Sequence, residues 1–158
     1  MDIVSGNPPR EILGLYPNGR RPLLDVDTLP FPEDNDISRW DYRNIPGSDY
    51  QEIEMFASRG CTMSCVFCVC RHLYYDQPNW RPRNVGSIIE EIRYLKNKYP
   101  LMEGVFFDEE DHNTQKSFIM ALTKAIRDND LHHLKYNAMC GYWSLDREMM
   151  ESMRSAGY

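Results

Sequence analysis

No run of apolar residues in this chain approaches the ~18–20 needed to cross a bilayer as a helix, so a membrane span is not expected. Positive charge is also short: 18 Lys and Arg stand against 24 Asp and Glu, for a net charge of -6. No basic stripe interleaved with aromatics follows a phosphate backbone, which argues against direct nucleic-acid binding by this segment. There are only four histidines and no repeated unit, and nothing at the start reads as a signal peptide. Five cysteines is an odd count, a poor basis for a disulfide framework. These absences leave a cytoplasmic protein with an ordinary globular composition, 42% hydrophobic and 27% charged, long enough for one domain or a piece of one.

What is there is concentrated in one stretch, Arg59-Gly60-Cys61-Thr62-Met63-Ser64-Cys65-Val66-Phe67-Cys68. Cys61-x3-Cys65-x2-Cys68 places three soft thiolates on one tight loop, enough for three corners of an iron-sulfur cluster with the fourth iron open. The alternative is a zinc site that recruits Cys70 beside Cys61, Cys65 and Cys68, since zinc favours thiolates and short Cys-x2-Cys spacings. Structural zinc sites usually combine two well-separated knuckles, whereas all these cysteines fall within ten residues. Cys70 and Cys140 are not expected to be ligands.

The first fifty residues are punctuated by Asn7-Pro8-Pro9, Tyr16-Pro17-Asn18-Gly19, Leu29-Pro30-Phe31-Pro32 and Ile45-Pro46-Gly47, and read as a hairpin or extended segment followed by a linker. From Gln51 the pattern alternates between strand and helix, which argues for parallel strands with helical crossovers. The first strand is expected at Glu52 to Ser58, delivering Cys61 to a loop at its C-terminal end. A helix capped by Asn84 runs to Lys98, with Val85, Ile88, Ile89, Ile92 and Leu95 at helical spacing. Glu103 to Asp108 is the second strand and Thr114 to Asn129 the second helix. Leu134 to Met139 is the third strand. Asp146 to Ala156 is the third helix, capped by Ser144 or Asp146, with Met149, Met150 and Met153 inward. Three such units cannot close a barrel, so the chain is expected to be a fragment.

The cysteine spacing, with Phe67 before the last cysteine, resembles the radical S-adenosylmethionine superfamily. Leu23-Leu24-Asp25-Val26-Asp27-Thr28-Leu29-Pro30-Phe31-Pro32, Trp80-Arg81-Pro82-Arg83-Asn84-Val85 and Met153-Arg154-Ser155-Ala156-Gly157 are similar to segments of its cobalamin-binding class. The resemblance implies an α/β fold, a partial TIM-like radical barrel. Its first three strand-helix units would occupy residues 51–158, preceded by an irregular linker, residues 1–50, that follows a cobalamin-binding domain outside this chain. It implies a 4Fe-4S cluster on Cys61, Cys65 and Cys68. There S-adenosylmethionine chelates the open iron and is cleaved reductively to a 5′-deoxyadenosyl radical, with an external donor such as flavodoxin or ferredoxin supplying the electron. Cobalamin is implied for the parent protein only, which would be a methyltransferase or related radical enzyme acting on a small or unknown substrate. A methylthiotransferase-like enzyme and a noncatalytic zinc or iron-sulfur module are the alternatives.

By the same resemblance Phe67 lies beside the adenine. Asp108 and Glu109, at the start of Asp108-Glu109-Glu110-Asp111, take the place of a glycine-glycine-glutamate motif that receives the cofactor's ammonium group. The bland reading of those four carboxylates is a solvated acidic loop leading a helix. His112 beside them is expected at the surface. Tyr142 and Trp143 are expected to pack, and Arg81 and Arg83 to form ion pairs near the first helix. No side chain is assigned as catalytic.

Overall fold

The computed structural model describes Gly19 and residues 21–43, 47–70 and 78–158. The expected N-terminal hairpin lies outside the described residues. Among the described residues three α-helices and five strands follow the two short 3-10 turns Val26–Thr28 and Arg39–Tyr42. Strands β1 (Glu52–Met55), β4 (Gly104–Phe107) and β5 (Lys135–Ala138) form a parallel sheet in the order β1-β4-β5. Between them run helices α1 (Val85–Lys98) and α2 (Lys116–Asp128), and α3 (Arg147–Ser155) follows β5. The α/β alternation read from the sequence is therefore present, as a three-stranded parallel sheet with three helices.

Register divides the sheet into two unlike faces. Ile53 stands opposite Val105, and Val105 opposite Tyr136; with Met55 and Phe107 they join the helix side chains Ile88, Ile92, Leu95, Ile119, Leu122 and Ile126 in one buried cluster. Each fully buried aliphatic side chain there contributes about 1.5–3 kcal/mol relative to exposure. The alternate residues form the other face, where Glu54, Phe106 and Asn137 lie in one row and Glu54 and Asn137 are exposed. Glu52, on the same face at the start of β1, is by contrast fully buried.

The helix ends follow the local chemistry. The Asn84 side chain accepts from Gly86 N at 2.8 Å, and Asp146 accepts from Met149 N at 2.8 Å. Met149 and Met153 are buried, but Met150 is 50% exposed. The inward expectation for Met150 fails because its neighbour Met149 already occupies the buried stripe, and adjacent helical positions point about 100° apart.

The larger correction concerns the first strand. It does not run unbroken from Glu52 to Ser58: β1 ends at Met55, and after Phe56 and Ala57 a separate strand, β2 (Ser58–Cys61), pairs antiparallel with β3 (Asn79–Pro82). Trp80-Arg81-Pro82, expected only to lead into α1, is the partner strand of the cysteine segment. The hairpin stands at the C-terminal end of β1.

Residues 21–43 are docked on this framework. Arg39 pairs with Asp34 at 2.9 Å and with Glu91 of α1 at 2.7 Å, while Arg83 pairs with the other oxygen of Glu91 at 2.6 Å. Trp40 stacks on Tyr99 with ring centroids 5.6 Å apart. Asp27 accepts from Asn84 N at 2.6 Å, and Leu24 O accepts from Arg81 at 2.7 Å. The ion pair expected of Arg83 near the first helix is thus formed, and the Arg81 guanidinium donates to a backbone carbonyl.

Candidate functional site

The C-terminal ends of β1 and β4 meet the β2–β3 hairpin, and the residues singled out from the sequence gather there. Gly60, at φ +97, turns β2 into its loop where a Cβ would fall 2.5 Å from Asn79 O. Only glycine suits that position. Cys61 closes β2, and a turn follows in which Cys68 N donates to Cys65 O at 3.1 Å. Cys61, Cys65 and Cys68 are all half-buried thiols. Among the described residues no three His, Cys, Asp or Glu side chains close around a common metal position.

The donor chemistry nevertheless fits a cluster. Burial pushes the Cys61 thiol up, and the charges of Asp111, Cys65 and Cys68 add to that, against a lowering hydrogen bond from Met63 N. Cys70 is pushed up to about 11 by burial, by its hydrogen bond to Cys68 and by the charge of Cys68. Ionised thiolates so close on one loop repel one another, and a polycationic iron core on Cys61, Cys65 and Cys68 relieves that repulsion.

The acidic stretch after β4 is built into the hairpin. Ser58 Oγ donates to Glu109 Oε2, and Gly60 N donates to Glu110 Oε2 at 3.0 Å. Asp111 acts electrostatically on Cys61. Two successive carboxylates, Glu109 and Glu110, therefore bind the cysteine strand directly. Arg59 lies 3.9 Å from Glu110 and packs its guanidinium over the Phe56 ring at 3.8 Å.

This arrangement corrects the solvated-loop reading. Glu109 is 4% exposed and Asp111 3%, while Asp108 alone of the four carboxylates is exposed. His112, expected at the surface, is fully buried. Its Nδ1 hydrogen-bonds Glu109 Oε1, its Nε2 lies 2.7 Å from the Tyr158 hydroxyl, and its ring stacks on Phe107 at 4.7 Å. Trp80 Nε1 donates to Ser58 Oγ at 2.9 Å, so Trp80, Ser58, Glu109, His112 and Tyr158 form one chain of hydrogen bonds. Burial and the Glu109 charge push the Tyr158 phenol up, which keeps it a donor toward His112. Ser58, Trp80, His112 and Tyr158 were not assigned to the site from the sequence; the one signal was a histidine directly after a run of carboxylates.

The remaining candidates lie around this mouth. Phe67 is 87% exposed at the tip of the cysteine loop. Glu54, on the open sheet face, has its carboxyl raised by burial and by the charges of Asp108 and Glu52. Asn113 is fully buried and clamps the segment after β5: its side chain donates to Gly141 O and to Ser144 Oγ, both at 2.8 Å, and accepts from Gly141 N at 2.7 Å. Tyr142 and Trp143, expected to pack, are 83% and 53% exposed. Their short 3-10 turn, Tyr142–Ser144, is held by the backbone at Gly141, which leaves both rings outside the core.

Fold and site together define an α/β segment with a thiol-rich mouth at the C-terminal ends of its strands. The chain is similar to methyltransferases. It is 25% identical over 143 residues to cytidylyl-2-hydroxyethylphosphonate methyltransferase of Streptomyces wedmorensis, a match spanning 84% of this chain and 25% of that protein. It is 33% identical over 116 residues to an uncharacterized methyltransferase of Pyrococcus horikoshii, spanning 68% of this chain and 24% of that one. The chain thus spans about a quarter of the length of the curated relatives it matches. No protein-family model matches it. No helix among the described residues is long and apolar enough to cross a membrane.

Proposed function

We propose that this chain carries the cluster-bearing half of the core domain of a radical S-adenosylmethionine methyltransferase, with Cys61, Cys65 and Cys68 as ligands to a 4Fe-4S cluster. The observation that carries the reading is the docking of the acidic loop on the cysteine strand, through Ser58 to Glu109 and Gly60 to Glu110. It holds a three-thiol loop at the C-terminal ends of parallel strands, the end where barrel active sites gather. Similarity to two methyltransferases supports the reaction class.

On this reading residues 51–158 are the first three strand-helix units of a partial TIM-like barrel. The polar sheet face with Glu54 and Asn137 is its interior, and residues 1–50 are a linker from a cobalamin-binding domain. Bound at the three cysteines, the cluster supplies the electron that cleaves S-adenosylmethionine, refilled by a flavodoxin or ferredoxin. The chain's own part is positional. Glu109 and Glu110 fix the strand that carries Cys61, and Asp108, exposed at the mouth, receives the cofactor's ammonium group. Glu109, the other carboxylate expected in that role, already accepts from Ser58 and His112. Phe67 lies free to cover the adenine. The cytidylyl group in the Streptomyces relative's name gives the working substrate class, a small molecule with a nucleotide handle.

Anaerobic reconstitution with iron and sulfide, followed by electron paramagnetic resonance of the reduced protein, tests this. A 4Fe-4S signal that shifts on adding S-adenosylmethionine and vanishes when all three cysteines are changed to Ala is the expected result. Zinc alone in the purified protein, or a cluster retained by the triple variant, would favour a structural metal module instead.

A further inference from the structure

We infer that Cys68 and Cys70 are a redox pair: before a cluster is built on the loop, hydrogen peroxide oxidises Cys68, and Cys70 closes a disulfide onto it that keeps this thiol recoverable. The inference rests on the proposed function only for the role of Cys68 as a ligand, and the disulfide itself is tested without any metal.

The loop carries one thiol more than a three-cysteine site uses, since Cys61, Cys65, Cys68 and Cys70 are all half-buried there. The backbone folds the last two together. Cys68 N donates to Cys65 O at 3.1 Å, and the next two residues, Val69 and Cys70, turn helical. The Cys70 thiol thereby reaches hydrogen-bonding contact with Cys68. Cys61 is engaged differently, at the end of β2, where its sulfur accepts from Met63 N at 3.4 Å. Ligands of one cluster bind different irons, so a sulfur resting against Cys68 is placed to bond it rather than to join it as a ligand. Small oxidants can reach the loop: Val66 and Phe67, just before Cys68, are each 87% exposed.

The step balances with hydrogen peroxide as the oxidant. The Cys68 sulfur attacks the O–O bond, giving a sulfenic acid and one water. The Cys70 sulfur then attacks the Cys68 sulfur. As the S–S bond forms the S–O bond breaks, and the departing hydroxide takes the Cys70 proton to become a second water. Two thiols lose two electrons and the peroxide gains them. The bridge withholds Cys68 from iron until a dithiol reduces it, and it diverts the sulfenic acid from the irreversible sulfinic step.

Peroxide treatment of the iron-free 158-residue chain, alkylation and mass spectrometry test this. Cleavage after Phe67 and Arg71 releases Cys68-Val69-Cys70-Arg71 apart from Cys61 and Cys65. That peptide is expected unalkylated and lighter by two hydrogen atoms, while Cys61 and Cys65 are alkylated. After dithiothreitol the oxidised parent is expected to regain its full iron uptake on reconstitution. Cys70→Ser, oxidised and reduced in the same way, is expected to carry sulfinic acid at Cys68 and to lose most of its uptake. Before oxidation the variant is expected to match the parent in circular dichroism and in iron uptake. A bridge to Cys61, Cys65, Cys140 or a second chain, sulfinic acid at Cys68 in the parent, or equal recovery by Cys70→Ser would overturn the pairing. Loss of iron uptake in unoxidised Cys70→Ser would make Cys70 a ligand and overturn it as well. The mapped bridge does not depend on iron, so failure here and failure of the cluster reading are separate results.

Discussion

The Nε2 of His112 lies 2.7 Å from the hydroxyl of Tyr158, a residue 46 positions later. Since Nδ1 faces the Glu109 carboxylate, it carries the proton, and Nε2 must accept from tyrosine. Removing only the hydroxyl, by Tyr158→Phe, leaves a buried ring nitrogen without a donor and is expected to cost about 1–3 kcal/mol in urea unfolding. His112→Ala adds a cavity beside Phe107 and frees Glu109, so its loss should exceed that of Tyr158→Phe. Equal stability of Tyr158→Phe and the parent chain would show that the contact contributes nothing.

Gly60→Ala is expected to damage the hairpin rather than the sheet. The substitution forces an L-residue at φ +97 and drives its Cβ into the Asn79 carbonyl. The strain, of order 1–3 kcal/mol, falls on the turn that delivers Cys61. The expected outcome is a protein with retained helical circular dichroism but sharply reduced iron uptake on reconstitution. Full iron loading would mean that the cysteine loop does not depend on this turn.

The helices and the parallel sheet were legible in the sequence because their causes are local. Asn84 caps α1 through its own side chain, and Ile88, Ile92 and Leu95 recur at the helical period that the core then buries. The β2–β3 pairing was not legible: Ser58-Arg59-Gly60-Cys61 has no strand-like alternation, and Pro82 weakens the case for a partner strand. The burial of His112 was hidden for a different reason. It depends on Phe107, Glu109 and Tyr158 converging from separate elements, which no spacing rule within one element encodes. The cysteine spacing was visible in the sequence, whereas the attachment of the strand before it to Glu109 and Glu110 emerged only from the packing.

Glu91 joins the segment before β1 to the α/β core, accepting from Arg39 and Arg83 while only 1% of its side chain is exposed. Removing it leaves two guanidinium groups facing a low-dielectric site. Glu91→Ala is expected to destabilise by about 3–5 kcal/mol and to make residues 21–43 a preferred site of limited proteolysis. Unchanged cleavage kinetics would show that the segment is held by its aromatic contacts alone.

Asp34 gives the same junction a pH dependence. Burial opposes its ionisation, but hydrogen bonds from the Arg39 side chain and backbone, with the charges of Arg39 and Lys98, outweigh this and hold the carboxyl below its ordinary range. A carboxyl depressed on folding stabilises the protein above its unfolded pKa and loses that contribution as pH falls through the folded value. The loss therefore begins near pH 4, where a free aspartate titrates. Asp34→Asn cannot titrate, so the stability difference between parent and variant should be constant at neutral pH and shrink as the pH is lowered below about 4. Unfolding curves for both proteins between neutral and acid pH measure that difference. A gap that widens toward acid would reverse the sign and show that Asp34 is held protonated in the fold.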